Sequence, residues 1–254
     1  MKLQTMYLDK HGAVARLVLD RPEVLNCANT RWVLDLNALA DHVAGDDDIR
    51  VVVVQGAGRA FSSGIDLTAL SRGEIGMDFF QGWETGLRKL ETMDKLVIAA
   101  VHSHCIGGGL QLALACDLRI AREDAGFGVT AVREGIIPGM GMWRIARFAG
   151  MGRAKRLALT AEVIGAATAL EWGLVDWVVP TAEFDARVQA LVEQCLEMAW
   201  TSTRLTKKLT TAAFELPWGE FAQTYFEFQR QSLLSEEHRR AMAEHRAARD
   251  GGER

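Results

Sequence analysis

Cysteine is scarce in this chain of 254 residues: there are four, Cys27, Cys105, Cys116 and Cys195, with no C-x-x-C pair among them. That spacing excludes a disulfide scaffold and a structural zinc site, and the usual fate of isolated thiols is burial in a core. An excess of positive charge is also lacking. Lys and Arg number 29 against 33 Asp and Glu, a net charge of −4, which argues against the broad basic face that nucleic acid requires. No apolar run approaches the ~18 residues that span a bilayer, and Met1 to Met6 holds one Lys and no apolar segment of signal type. A cytoplasmic protein without nucleic-acid or membrane partners is expected. With 49% hydrophobic and 24% charged residues, the disordered, coiled-coil and collagen-like classes are disfavoured. At ~150 residues per domain the length suits one large α/β domain, or a domain with an appendage.

Short runs of apolar and β-branched residues recur at Val14 to Leu19, Val51 to Val54, Leu96 to Val101, Leu118 to Ala121 and Val175 to Val179. Several are apolar at successive positions, the pattern of strands covered on both faces. Between them, Trp32, Val33, Leu36, Leu39, Ala40 and Val43 repeat at helical spacing, as do Trp83, Leu87, Leu90 and Met93. Alternation of this kind predicts an α/β layer of mostly parallel strands with helical crossovers. After about residue 180 the strand signals stop. Val188, Leu191, Val192, Cys195, Leu196 and Ala199 begin a helical pattern broken at Pro217 and Gly219. The tail from Glu236 to Arg254 carries five acidic and five basic residues, as expected of a solvated helix or one lying on a neighbouring subunit. A core over residues 1–195 and a helical region over 196–254 are expected.

Glycine is plentiful, 24 residues, and two clusters stand out. Arg59-Ala60-Phe61-Ser62-Ser63-Gly64-Ile65-Asp66-Leu67 follows the strand at Val51 to Val54, and Gly107-Gly108-Gly109 follows the strand at Leu96 to Val101 and opens the apolar stretch Leu110 to Ala115. Three glycines at a helix start expose backbone N–H groups and permit close approach. Nucleotide motifs fail on spacing: neither G-x-G-x-x-G nor a P-loop G-K-[ST] is present, and G-x-S-x-G is missing at Ser62 and Ser63.

In order and context these blocks resemble the crotonase, or enoyl-CoA hydratase/isomerase, superfamily. The resemblance rests on Arg21-Pro22-Glu23-Val24-Leu25-Asn26, the Phe61 to Leu67 loop, Ala99-Ala100-Val101 leading through Cys105-Ile106 into Gly107 to Gly109, and Ala115-Cys116-Asp117-Leu118-Arg119-Ile120-Ala121. Phe127-Gly128 to Ile137-Pro138-Gly139 and Ala169-Leu170-Glu171-Trp172-Gly173-Leu174-Val175 complete it, over about residues 6 to 230. It implies an α/β fold with a β-β-α spiral core and a C-terminal helical trimerisation region. The assembly would be a homotrimer or a dimer of trimers, and the substrate an acyl-CoA thioester. CoA would be part of the substrate, lying over Ser63 to Leu67, with no other cofactor and no metal.

The same resemblance assigns the thioester oxygen to the backbone N–H groups of Ile65 and Gly108, where preorganised donors and a helix dipole would stabilise developing charge. The acid/base positions depart from the family. Where hydratases carry glutamates this chain has Gln111 and Ala131, and where some isomerases have an acid after Pro138 it has Gly139. An amide can hold water but exchanges no proton near neutral pH, and Ala does neither. If the segment from Thr130 turns helically, Glu134 shares a face with Ala131 and could bring a carboxylate there; a salt bridge to Arg133 or Arg144, or simple exposure, is the structural alternative. His104 is a second candidate base or a structural histidine.

Candidate catalytic residues are thus Ile65, Gly108, Gln111 and Glu134. Candidate substrate contacts are Ser63, Gly64, Asp66, Leu67, Gly107, Ala131 and Gly139, and Asp66 and Asp117 also read as turn and helix-end residues. The expected chemistry is stabilisation of a thioester enolate during single-base isomerisation or an atypical hydration. A thioester hydrolase, a decarboxylase and a non-catalytic acyl-CoA-binding protein are the alternatives.

Overall fold

The computed structural model describes residues 1–252, with side chains through 249. It divides into two compact units, Met1–Val192 and a second beginning at Glu193. The first unit opens with an antiparallel pair, β1 (Met6–His11) and β2 (Val14–Leu19), followed by α1 (Thr30–Ala44), β3 (Val51–Gly56), α2 (Leu67–Ser71), α3 (Met77–Thr92) and β4 (Leu96–Val101). Next come β5 (His104–Ile106), α4 (Gly108–Leu114), β6 (Leu118–Arg122), β7 (Gly126–Gly128) and a 3₁₀ turn at Ala131–Glu134. After it lie α5 (Gly141–Ala149), α6 (Met151–Thr160), β8 (Val163–Gly165), α7 (Ala166–Glu171), β9 (Trp177–Val179) and α8 (Phe184–Glu197), within which the division falls.

The main sheet has the order β1-β2-β3-β4-β6-β9, parallel beyond the first pair, and β5-β7-β8 form a second, small sheet. All five expected strand runs lie in the main sheet, although only the second half of Val175 to Val179 pairs. Asp176 is diverted: its carboxylate accepts from the Arg119 backbone N–H at 2.7 Å and from the Arg119 guanidinium at 2.9 Å. At the sheet centre Val51, Val52, Val53 and Val54 are all fully buried, as an uninterrupted apolar strand must be when helices cover both faces.

The helix α1 is capped by Asn29, whose side chain accepts the Trp32 N–H at 3.0 Å. Its apolar stripe meets α3 closely because Gly82 and Gly86 stand against Val33 and Leu36. None of the four cysteines is in a disulfide, and all are buried. The mixed α/β architecture with helices at the C-terminal end agrees with the fold that the resemblance implies.

The second unit holds α9 (Trp200–Ala212), α10 (Trp218–Leu234) and α11 (Glu236–Gly252). The charged tail is helical as far as it is described; Glu253 and Arg254 lie outside the described residues. Phe214, Trp218, Phe226 and Leu234 are 61–82% exposed in this chain alone.

Candidate functional site

Two loops meet where the sheets come together. The Phe61 N–H donates to His102 O, the Ser62 N–H to His104 O and the Ile106 N–H to Ser62 O, so the segment after β3 is stitched to β5. Asn26, fully buried with φ +55°, anchors the other side. Its amide donates to Ala57 O at 2.9 Å and Ala60 O at 2.8 Å, while its oxygen accepts the Arg21 N–H at 2.9 Å. Ala28 then pairs with the loop: its N–H donates to Gly64 O at 2.7 Å and its carbonyl accepts from the Asp66 N–H at 2.9 Å. That parallel bridge turns the Ile65 N–H away from Ala28 and leaves it without a partner among the described residues.

The glycine triplet answers three separate constraints. Gly107 has φ +57° and ψ −117°, which side chains rarely tolerate. A Cβ on Gly108 would fall 2.6 Å from the Trp83 ring, and one on Gly109 would fall 2.4 Å from Ser62 O. As the first residue of α4, Gly108 has no intrahelical acceptor for its N–H, and none of the described residues supplies one. Gly64, at φ +92°, backs this region: a Cβ there would stand 2.9 Å from the Gly108 nitrogen.

These segments line a cavity of about 310 Å³. Its wall includes Ser63, Ile65, Asp66, Leu67, Gly107, Gly108, Gln111, Ala131, Glu134 and Gly139, so ten of the eleven candidate positions converge; Gly64 lies behind them. Val24, Phe79, Phe80, Trp83, Ile136 and Ile137 give the cavity an apolar character. His104 is exposed on β5 and does not reach it.

Asp66 is committed to structure. One carboxylate oxygen accepts the Thr68 and Ala69 N–H groups at 3.1 Å each, capping α2, and the other accepts Arg21 at 3.1 Å. Burial pushes its carboxyl up, but the Ala69 N–H, Arg21 and Cys27 outweigh that and hold it below its ordinary value. Cys27 also lines the cavity; burial, with the Asp66 charge beside it, pushes its thiol up to about 11. A thiol so held stays neutral and is a poor nucleophile. Asp117 is likewise structural, its carboxylate accepting the Val97 N–H at 2.7 Å.

Glu134 sits on the 3₁₀ turn directly over Ala131, since residues i and i+3 eclipse in that geometry. The expected salt-bridge partners are engaged elsewhere. Arg133 donates to Ala161 O at 2.7 Å, and Arg144, with its side chain 3% exposed, donates to Glu84 at 2.7 Å and to Glu91 at 2.6 Å. The Glu134 carboxylate is exposed and makes no ion pair among the described residues.

Glu84 is a wall residue that the sequence pattern did not single out. It lies on α3 beside Trp83, and with Glu91, seven residues on, it flanks the helix's buried stripe. Acids at that spacing beside an apolar stripe, with an Arg in a later amphipathic helix, are the signal that could have found it. Gln111 is 7% exposed, and its side-chain oxygen has no hydrogen-bond partner among the described residues.

The profile of the Enoyl-CoA hydratase/isomerase family matches residues 9–248. A short-chain-enoyl-CoA hydratase of Clostridium acetobutylicum is 34% identical over 216 residues, spanning 82% of this chain and 81% of that protein. A carnitinyl-CoA dehydratase of Escherichia coli is 30% identical over 217 residues, 84% of this chain and 83% of its own. Among solved structures, an enoyl-CoA hydratase from Bacillus anthracis superposes with TM-score 0.90 at 27% identity, covering 96% of this chain and 97% of the other. A Thermobifida fusca protein solved in complex with CoA gives 0.83 at 33% identity, over 90% and 93% of the two chains.

Proposed function

The chain belongs to the enoyl-CoA hydratase/isomerase family, within the crotonase superfamily, and on that premise we propose that its cavity receives the acyl end of a CoA thioester and stabilises the thioester enolate. The observation that carries the reading is the pair of unpartnered backbone N–H groups, Ile65 and Gly108, on two stitched segments of one cavity. In this reading the thioester oxygen sits between them. Charge that develops there when a proton leaves Cα, or when an oxygen adds at Cβ, meets donors already in place. The donors themselves carry the argument, because α4 has only seven residues and contributes little dipole.

Gln111 and Ala131 occupy the positions where the resemblance places two glutamates, so this reading gives proton transfer to a single carboxylate. Two qualify by place, Glu134 over Ala131 and Glu84 on the facing helix; Asp66 is already spent on its cap and on Arg21. A hydrolase working through Cys27 is disfavoured by its raised thiol. The chemistry needs no group beyond CoA, which belongs to the substrate. The exposed apolar side chains of α10 fit burial in a homotrimer or dimer of trimers.

The test is a panel of enoyl-, 3-hydroxyacyl- and saturated acyl-CoA thioesters, followed for turnover and for deuterium uptake at Cα. Turnover or exchange of at least one thioester is expected. Affinity with neither would make the protein an acyl-CoA binder, and absence of affinity would overturn the reading.

A further inference from the structure

We propose that Glu84 and Gln111 form the seat for the O–H that this site adds or removes, and that Glu84 carries its proton. The inference rests on the acyl-CoA reading above and names the group that reading leaves open.

Gln111 is nine-tenths buried with an unsatisfied oxygen, a condition that destabilises a fold unless something donates to it. A Cβ on Gly139 would lie 3.3 Å from Glu84 Oε1, 3.8 Å from Gln111 Oε1 and 4.0 Å from Gln111 Nε2, so the carboxylate and the amide both come up to the backbone at Gly139. Glu84 and Gln111 line the same cavity as Gly108. Water beside Glu84 Oε1 can donate to it, a substrate hydroxyl can do the same with its one hydrogen, and the Gln111 amide supplies the second polar contact. If the amide turns to present Nε2, a water can accept from it while donating to Glu84, and the seat persists.

Glu84 is also held as a proton carrier must be. Its Oε2 accepts from Arg144 at 2.7 Å, Arg144 is fixed in turn by Glu91 at 2.6 Å, and Oε1 accepts the Met140 N–H at 3.2 Å. Oε1, with one such contact on a residue that lines the cavity, keeps lone-pair capacity. Glu134, exposed and unpaired, has no such support.

The step balances on one carboxylate. Water's oxygen bonds to Cβ as one of its protons passes to Glu84, and the C=C electron pair moves through Cα to the thioester oxygen between the Ile65 and Gly108 N–H groups. The enolate then takes at Cα the proton held on the Glu84 carboxyl, which returns the carboxylate and leaves a 3-hydroxyacyl thioester. Dehydration is the same path reversed, so a 3-hydroxyacyl-CoA or its enoyl partner is the substrate class.

The test compares the full-length protein with Glu84→Gln on short-chain enoyl-CoA thioesters, reading hydration, Cα deuterium exchange and the Kd of the saturated acyl-CoA. The expected result is a loss of about a hundredfold or more in kcat and in exchange, with Kd within about twofold. Should Glu84→Gln fail to fold, Glu84→Asp keeps a charge for Arg144 while withdrawing Oε1, and the same split is expected. Folded Glu84 variants with wild-type kcat, or with a change confined to Kd, overturn the inference and leave the acyl-CoA reading standing. Loss of activity in Glu134→Gln but not in Glu84→Gln does the same and assigns the proton to Glu134. An unaltered protein that neither binds nor turns over any thioester overturns both.

Discussion

Replacing Gly64 by Ala tests the geometry of the cavity at its most confined point. The backbone there has φ +92°, and the new methyl would lie 2.8 Å from Ile106 O and 2.9 Å from the Gly108 nitrogen. Both neighbours are main-chain atoms in the paired segment that starts α4, so neither can swing aside as a side chain would. The positive φ costs about 1–2 kcal/mol, and forcing a methyl into a packed wall about 1–3 kcal/mol more, giving an expected loss of roughly 2–5 kcal/mol in urea unfolding.

The activity effect is separate. A methyl beside the Gly108 nitrogen obstructs any oxygen approaching that N–H, and loss of one such donor lowers kcat by about 10²–10³. Gly12→Ala is the control, because Gly12 has φ +57° with nothing within 4 Å of a new Cβ, and it lies on the β1–β2 turn away from the cavity. It should show the backbone part alone, about 1–2 kcal/mol, with kcat unchanged. A Gly64→Ala protein no less stable than Gly12→Ala would refute the steric argument, and one with normal kcat would remove Gly108 from the oxyanion-binding role.

Arg144→Met should lower stability by about 3–5 kcal/mol, because it strips the buried partner from both Glu84 and Glu91; a loss under about 1 kcal/mol in denaturant melts would mean solvent screens these carboxylates. Asp66 has a folded carboxyl held below the ordinary 3.8, so its contribution is full above about pH 4 and is lost as pH falls through the lowered value. Asp66→Asn should therefore flatten the acid limb of the stability curve, and an unchanged limb would deny Asp66 that part. Light scattering at micromolar concentration should give three or six times 28.0 kDa, whereas a mass of 28.0 kDa would leave the apolar face of α10 uncovered.

How much of this could be read in the sequence follows from which constraints leave a local mark. The apolar runs of β3 and β4 are legible because strands covered on both faces need successive apolar residues, and those of β2 and β6 remain legible around a single Arg, Arg16 and Arg119. β1, Met-Tyr-Leu-Asp-Lys-His, is an edge strand with polar residues toward solvent, and its mixed run gives no such signal. β5, β7 and β8 are three residues each, shorter than any periodicity test. Gly107 to Gly109 stand out because a positive φ, the Trp83 ring and the Ser62 carbonyl each exclude a Cβ, so the demand is written directly into the chain.

Glu84 is different in kind. On its own helix it reads as a polar residue beside an apolar stripe, and its meaning depends on Met140 and Arg144, 56 and 60 residues away. Helical spacing around Ala131 identifies Glu134 for the same reason it passes over Glu84: it compares neighbours in sequence, while the cavity wall is assembled from elements that are not.

Trp83 is one of seven tryptophans, stacked on Trp32 at 4.8 Å and 15° with both rings buried, and its edge meets Gly108. Two indoles that close and parallel share their excited states, so near-ultraviolet circular dichroism should carry a coupled band that belongs to this stack. The Trp83 indole N–H lies in an apolar wall with no partner among the described residues, which places its emission toward the blue. The protein thus has a built-in optical gauge of cavity occupancy: a bound acyl chain alters the Trp83 surroundings whether or not it reacts, and the titration reads affinity for thioesters that are never turned over.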